Sequence, residues 1–338
     1  MRDKITFSFE PEIWHKKLQN LYGFCYKYHY DCGGIEIHLP VFQDGKEFLY
    51  ELINLYAHIS NFKYMIPVAK NLGFHIHLSG KHNKTLGKFL GHYGHVYDNL
   101  ILIAPVLQFI TANDYNSAYK IKSKRAYFGR WCELNKNYEP KIRTGCGHGY
   151  YAVVVNTKGD KPVTFEIRSV DACLLPYIYS AVGLAVSTFV KSLEDKELFS
   201  KITEYLHKKY DRELEYLYVL LRDSLKIDNK KAENEMMRYI KFILKTIGKD
   251  TFQLKNFDLG YNFINKLINR EVKFCWEYTK DLYNSITTNT LNKIHKELLV
   301  CLKAIKIENI NDVLFIRDQN HISENDVFES LRQIKNKK

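Results

Sequence analysis

An α+β fold is what the sequence predicts, with its strands gathered in the first half of the chain and its helices in the second. Up to about residue 170 the chain alternates period-2 hydrophobic stretches with helix-like ones; from about Pro176 onward it reads as helix after helix. The candidate strands are ITFSFE (5–10), GGIEIHLPVF (33–42), GFHIHLS (73–79), YYAVVVNT (150–157) and VTFEIRSV (163–170). Between the second and third, Asp44-Gly-Lys-Glu47 is a capping-box pattern. It opens a run in which Phe48, Leu49, Leu52, Ile53, Tyr56 and Ile59 recur at helical spacing. The TKGDKP stretch (157–162) is turn chemistry, so the fourth and fifth strands are expected to form an antiparallel hairpin. Amphipathic stretches follow at about 177–224, 228–247, 257–285, 289–306 and 322–336. This shift places a boundary near 176–190, with a first domain over 1–185 and a mostly helical region over 186–338.

At 338 residues the chain can bury a full hydrophobic core without disulfides. Its seven cysteines are scattered, odd in number and never spaced C-x-x-C, which suggests reduced thiols in a cytoplasmic protein rather than a disulfide framework or zinc ribbon. The N-terminal segment has no signal-peptide core. The apolar stretch from Ile178 to Val190 is broken by serines and a threonine, so no membrane span is expected. The net charge of +12 is spread along the chain and suits anionic small molecules such as nucleotides. Nucleic acid is not the favoured partner on this composition.

Side chains two apart on a strand share a face, so E-x-E, E-x-H, H-x-H and E-x-R each present two polar groups together. All four occur, as Glu10/Glu12, Glu36/His38, His75/His77 and Glu166/Arg168. Each pair alone could be solvated strand surface. A sheet face carrying all of them needs cations or a charged ligand to offset the desolvation of its charges. Seen alone, Pro11 suits an edge or a bulge because it cannot donate to a ladder.

The ordered set resembles the carboxylate-amine ligases, the superfamily of glutamine synthetases, glutamate-cysteine ligases and the smaller amidoligases, over about residues 5–190. FSFEPE (7–12) resembles the opening FGVELE-type strand. The segment from Asp31 to Pro40, DCGGIEIHLP, resembles the segment that follows it. Gly73-Phe-His75-Ile-His77 matches a G-x-H-x-H strand, and Phe165-Glu166-Ile-Arg168 a final [IV]-E-[FIV]-R strand. The resemblance implies a largely antiparallel, glutamine-synthetase-like catalytic sheet with flanking helices. It also implies ATP and two or three Mg2+ or Mn2+ ions, with Glu10, Glu12, Glu36, His75 and Glu166 as metal ligands. His77 and Arg168 would face nucleotide or substrate. Arg130, with Arg125 second, would be a further phosphate clamp, as RAYFGR (125–130) resembles an arginine-bearing segment of the amidoligases. Pro11 and His38 depart from the family pattern. Tyr151 and Asn156 match its penultimate strand, with a structural role as the default for both.

The implied reaction joins a carboxylate substrate to an amine substrate, small molecule or peptide, through an acyl phosphate made from ATP. Such chemistry needs no Walker loop, and none occurs: the glycines of Gly145-Cys-Gly147-His-Gly149 lack the lysine of a phosphate loop and read as a turn. Two other readings stay open at this point. Acidic and histidine residues on strands could serve a metal-dependent hydrolase or nuclease, and the two departures allow an inactive binding or scaffolding member of the same fold.

Overall fold

The computed structural model describes residues 5–15, 27–31, 34–60, 65–66, 73–113, 118–123, 126–127, 133–144, 151–157, 161–173, 175–208 and 211–279. It is an α+β protein. The strands are β1 (Thr6–His15), β2 (Lys27–Asp31), β3 (Gly34–His38), β4 (Met65–Ile66), β5 (Gly73–Ser79), β6 (Ile142–Arg143), β7 (Val153–Asn156) and β8 (Thr164–Asp171). Helices α1 (Gly45–Ser60) and α2 (Leu86–Thr111) lie among them in sequence. After β8 come α3 (Leu175–Glu194), α4 (Leu198–His207), α5 (Glu213–Ser224), α6 (Lys230–Ile247), α7 (Lys249–Gln253), α8 (Asp258–Ile268) and α9 (Cys275–Thr279). The sheet order is β2-β3-β1-β5-β8-β7-β6, with β4 paired to β1. Every pairing is antiparallel except that of β6 with β7.

The five expected strands all form, and the expected hairpin is the β7–β8 pair, with Val153 opposite Ile167 and Asn156 opposite Thr164. Strands β2, β4 and β6, and the long helix α2, were not expected. Helix α2 is buried on every side from Asn99 to Thr111, so it shows no amphipathic stripe to read. Pro11 lies inside β1 rather than at a sheet edge. It is the last β1 residue in register with β5, and pairing with β3 begins at Glu12, so its missing N–H falls at the changeover between two ladders. Among the described residues no helix is long and apolar enough to cross a membrane. The amphipathic stretches expected at 289–306 and 322–336 lie outside the described residues.

Period-2 alternation gives the sheet one apolar and one polar face. Phe7, Phe9, Ile35, Ile37, Phe74, Ile76, Leu78, Phe165 and Ile167 are buried on the apolar face. Phe48 of α1 meets Phe7 and Phe9 with ring centroids 5.5 and 5.6 Å away, and Phe89 of α2 meets Phe165 at 4.7 Å. The same core runs on into the helices after β8. Phe257 lies 5.6 Å from Phe7 and 5.1 Å from Tyr179 of α3.

Asp44 begins α1 as expected, its Oδ1 accepting from the Lys46 amide at 2.7 Å. Its other oxygen accepts from Asn256, and the Gly45 amide donates to the Lys255 carbonyl at 2.8 Å. The turn before α8 therefore clamps the start of α1. A Cβ on Gly45 would stand 2.7 and 2.8 Å from the carbonyl oxygens of Asn256 and Lys255, both backbone atoms that cannot rotate away. Gly45→Ala is expected to destabilise the fold by about 1–3 kcal/mol, read as a lower urea midpoint. An unchanged midpoint would show that the turn is not seated on α1.

Candidate metal and anion site

The polar face gathers the residues that the sequence singles out. Glu12 and Glu36 are direct cross-strand partners, Glu10 is opposite His75, and His77 is opposite Glu166. Strand β5 is central, so its two histidines have carboxylates on both sides. The His75 ring lies 3.6 Å from Glu12 Oε1, 3.7 Å from Glu36 Oε2 and 3.7 Å from Glu166 Oε1. His77 is hydrogen-bonded on both nitrogens, Nε2 to Glu10 Oε2 at 3.0 Å and Nδ1 to Thr164 Oγ1 at 3.1 Å. Glu10 turns its second oxygen to His38 Nδ1 at 3.2 Å.

Two groups of three have ligand atoms all within 4.8 Å of one another: Glu10, Glu36 and His38, and Glu12, Glu36 and His75. Glu36 belongs to both. Like charges directly opposite on neighbouring strands repel, so the Glu12/Glu36 pairing favours positive charge between them, from the His75 ring that touches both or from a bound cation. Oxygen and imidazole donors at these separations fit divalent ions bound at roughly 2.0–2.6 Å. His38, a departure from the family pattern, is thus a member of one group, and its side chain is the more open edge of the site at 32% exposure against 3% for His75.

Glu166 stands outside both groups. Its Oε1 accepts from Arg143 at 2.5 Å and Arg168 at 2.6 Å, and its Oε2 from Asn156 at 2.7 Å. Arg168 is aimed by an irregularity in β8: between Phe74 and Ile76 on β5, the partner positions on β8 advance from Val170 to Ile167. One extra β8 residue therefore lies in the Arg168–Ser169 stretch. The sequence does not single out Arg143. It comes from a two-residue strand whose local sequence, KIRTG, carries no signal. Tyr97 of α2 holds that segment in place, its hydroxyl accepting from Asn135 Nδ2 at 2.9 Å and the Lys141 amide at 3.0 Å while donating to the Val153 carbonyl at 3.1 Å. Arg125, Arg130 and the glycines of 145–149 lie outside the described residues.

Electrostatics follow the contacts. Burial opposes ionisation of Glu10, but hydrogen bonds from His38 and His77 and the charges of His77 and His75 overcome it. Its carboxyl is held well below the ordinary range. Burial likewise disfavours a charged His77, yet the hydrogen bond and charge of Glu10, with Glu166 and Glu36 beyond, push its pKa up. For Glu166 burial is outweighed by His77, His75, Arg168 and Arg143, which hold it down at about 2. Glu10 and Glu166 are therefore ionised, and guanidinium groups border the face on the Glu166 side.

No protein-family model matches the chain, and no curated protein matches it.

Proposed function

We propose that the chain is an ATP-dependent carboxylate-amine ligase using Mg2+ or Mn2+, which joins a carboxylate and an amine substrate through an acyl phosphate. One observation carries the reading: two carboxylate–imidazole groups that share Glu36 adjoin a buried carboxylate holding two arginines, all on one sheet face. Glu10, Glu12, Glu36, His38 and His75 are the residues that would hold the ions. Bound there, the ions would supply positive charge that offsets the repulsion between a carboxylate and a phosphate chain. Arg168 would stabilise charge on the transferring phosphoryl group, and His77, oriented by Thr164 and Glu10, would face nucleotide or substrate. Arg130 and Arg125 belong to this proposal on the resemblance alone. Among the described residues Cys275 is a buried free thiol, in keeping with a cytoplasmic protein.

The test is ADP and phosphate release by the full chain, which should require a divalent ion, a carboxylate and an amine together. Turnover indifferent to added carboxylate and amine would instead support a metal-dependent hydrolase, the reading that two groups sharing one carboxylate favour by themselves. A folded protein with no metal-dependent nucleotide binding would sink both and leave a scaffolding role. Because each group mixes carboxylate oxygen with imidazole nitrogen, Mn2+ is expected to bind about tenfold or more tightly than Mg2+. Equal affinities by competition titration would show that the histidines take no part.

A further inference from the structure

We propose that Arg143 and Arg168 form a paired guanidinium clamp for phosphoryl groups, and that Glu166 positions the two arginines instead of ligating metal. The nature of the ligand rests on the ligase reading; the clamp rests on the contacts. An ionised carboxylate offers about four acceptor positions, and three on Glu166 are taken by Arg143, Arg168 and Asn156. To ligate an ion it would have to give up charge-assisted bonds in a site where the side chain is fully buried. It is also absent from both groups of ligand atoms that converge.

The arginines, by contrast, have capacity left. Two guanidinium charges share one carboxylate, so this corner is positive while the neighbouring groups around Glu36 are negative. Each guanidinium has five N–H donors, and the Nε of Arg168 is buried with no hydrogen-bond partner among the described residues. The Arg168 side chain is 10% exposed and that of Arg143 19% exposed, so the pair spans the interior and the opening of the site. Both are built into place, Arg168 by the irregularity in β8 and Arg143 by the segment that Tyr97 anchors. Planar forks match phosphate geometry, and a phosphate chain reaching from the clamp toward Glu36 would meet cations next.

The experiment measures two affinities in the full chain: inorganic pyrophosphate without metal, and Mn2+ without nucleotide by electron paramagnetic resonance. Arg143→Gln and Glu166→Gln are each expected to weaken pyrophosphate binding about tenfold or more while leaving Mn2+ affinity within about threefold. Guanidinium added at millimolar concentration is expected to restore part of the loss in Arg143→Ala, which a purely structural role would not allow. Circular dichroism reads folding, and Arg143→Lys, which keeps the charge but not the fork, carries the test where the glutamine variant does not fold. Loss of Mn2+ binding in Glu166→Gln to the extent seen in Glu36→Gln would overturn the assignment, because Glu166 would then be a metal ligand. Unchanged pyrophosphate affinity in folded Arg143→Gln would overturn the clamp. Failure of the ligase reading looks different: no amine- and carboxylate-dependent ADP release by the wild-type chain, with the pyrophosphate difference intact.

Discussion

Glu36→Gln is expected to lower metal-dependent turnover by more than about 100-fold without lowering the stability of the metal-free protein. Glu36 is the one residue common to both converging groups, so the change removes an anionic ligand from each at once. Glu12→Gln and Glu10→Gln each touch a single group and should cost less. The stability half of the expectation follows from register: Glu36 faces Glu12 across β3 and β1, and neutralising one of the two opposed carboxylates removes repulsion while the His75 ring keeps Glu12 and Glu166 as neighbours. A metal-free midpoint equal to or above that of the wild type, together with lost turnover, is the expected pair of results. A large drop in midpoint would mean that Glu36 is a structural ion-pair partner.

Glu233→Gln is expected to destabilise the fold by about 3–5 kcal/mol, whereas Lys122→Met should cost roughly 1 kcal/mol or less. Glu233 of α6 is fully buried and is the shared partner of Lys122, Lys230 and Arg270. Below about pH 7, where Lys122 is protonated, removing the Glu233 charge leaves Lys122 buried beside two other cations. Removing Lys122 leaves Glu233 with two partners still. Lys122 also donates to the Ser224 carbonyl at 2.8 Å and lies 5.0 Å from the centre of the Trp276 ring. Burial first, then Lys230 and Arg270, push the Lys122 ammonium down to about 7. Its folded pKa is below its unfolded value of about 10.5, so the unfolded chain binds more protons between these limits. Stability should therefore rise with pH from about 7 to about 10.5. Urea unfolding across this window should slope upward in the wild type and flatten in Lys122→Met; an equal slope in both would show that Lys122 does not titrate there. The cluster matters to the site through the next residue, Ser123, whose hydroxyl donates to Asp171 at the end of β8 at 2.6 Å.

Strands β5 and β8 could be read from the sequence because one residue in two on each is a large apolar side chain, and the intervening positions are too polar to be core. The same alternation brought Glu36, His75, His77, Glu166 and Arg168 to one face, where the structure has them. It could not say which carboxylate faces cations and which faces arginines. That division depends on register between strands about 60 to 100 residues apart, on the irregularity in β8 and on Arg143, whose strand is only two residues long. Helix α2 is illegible in the sequence for the opposite reason. Its second half is apolar on all sides, so neither helical nor strand periodicity stands out, and Pro105 in its interior argues locally against a helix.

The most direct test of the central claim is the number of Mn2+ ions bound per chain, titrated by electron paramagnetic resonance with and without a non-hydrolysable ATP analogue. Two groups that share Glu36 predict two ions close enough for their spins to couple, bound more tightly when the analogue is present. Folded protein that binds no Mn2+ in either condition would contradict a metal-dependent nucleotide site on this sheet face.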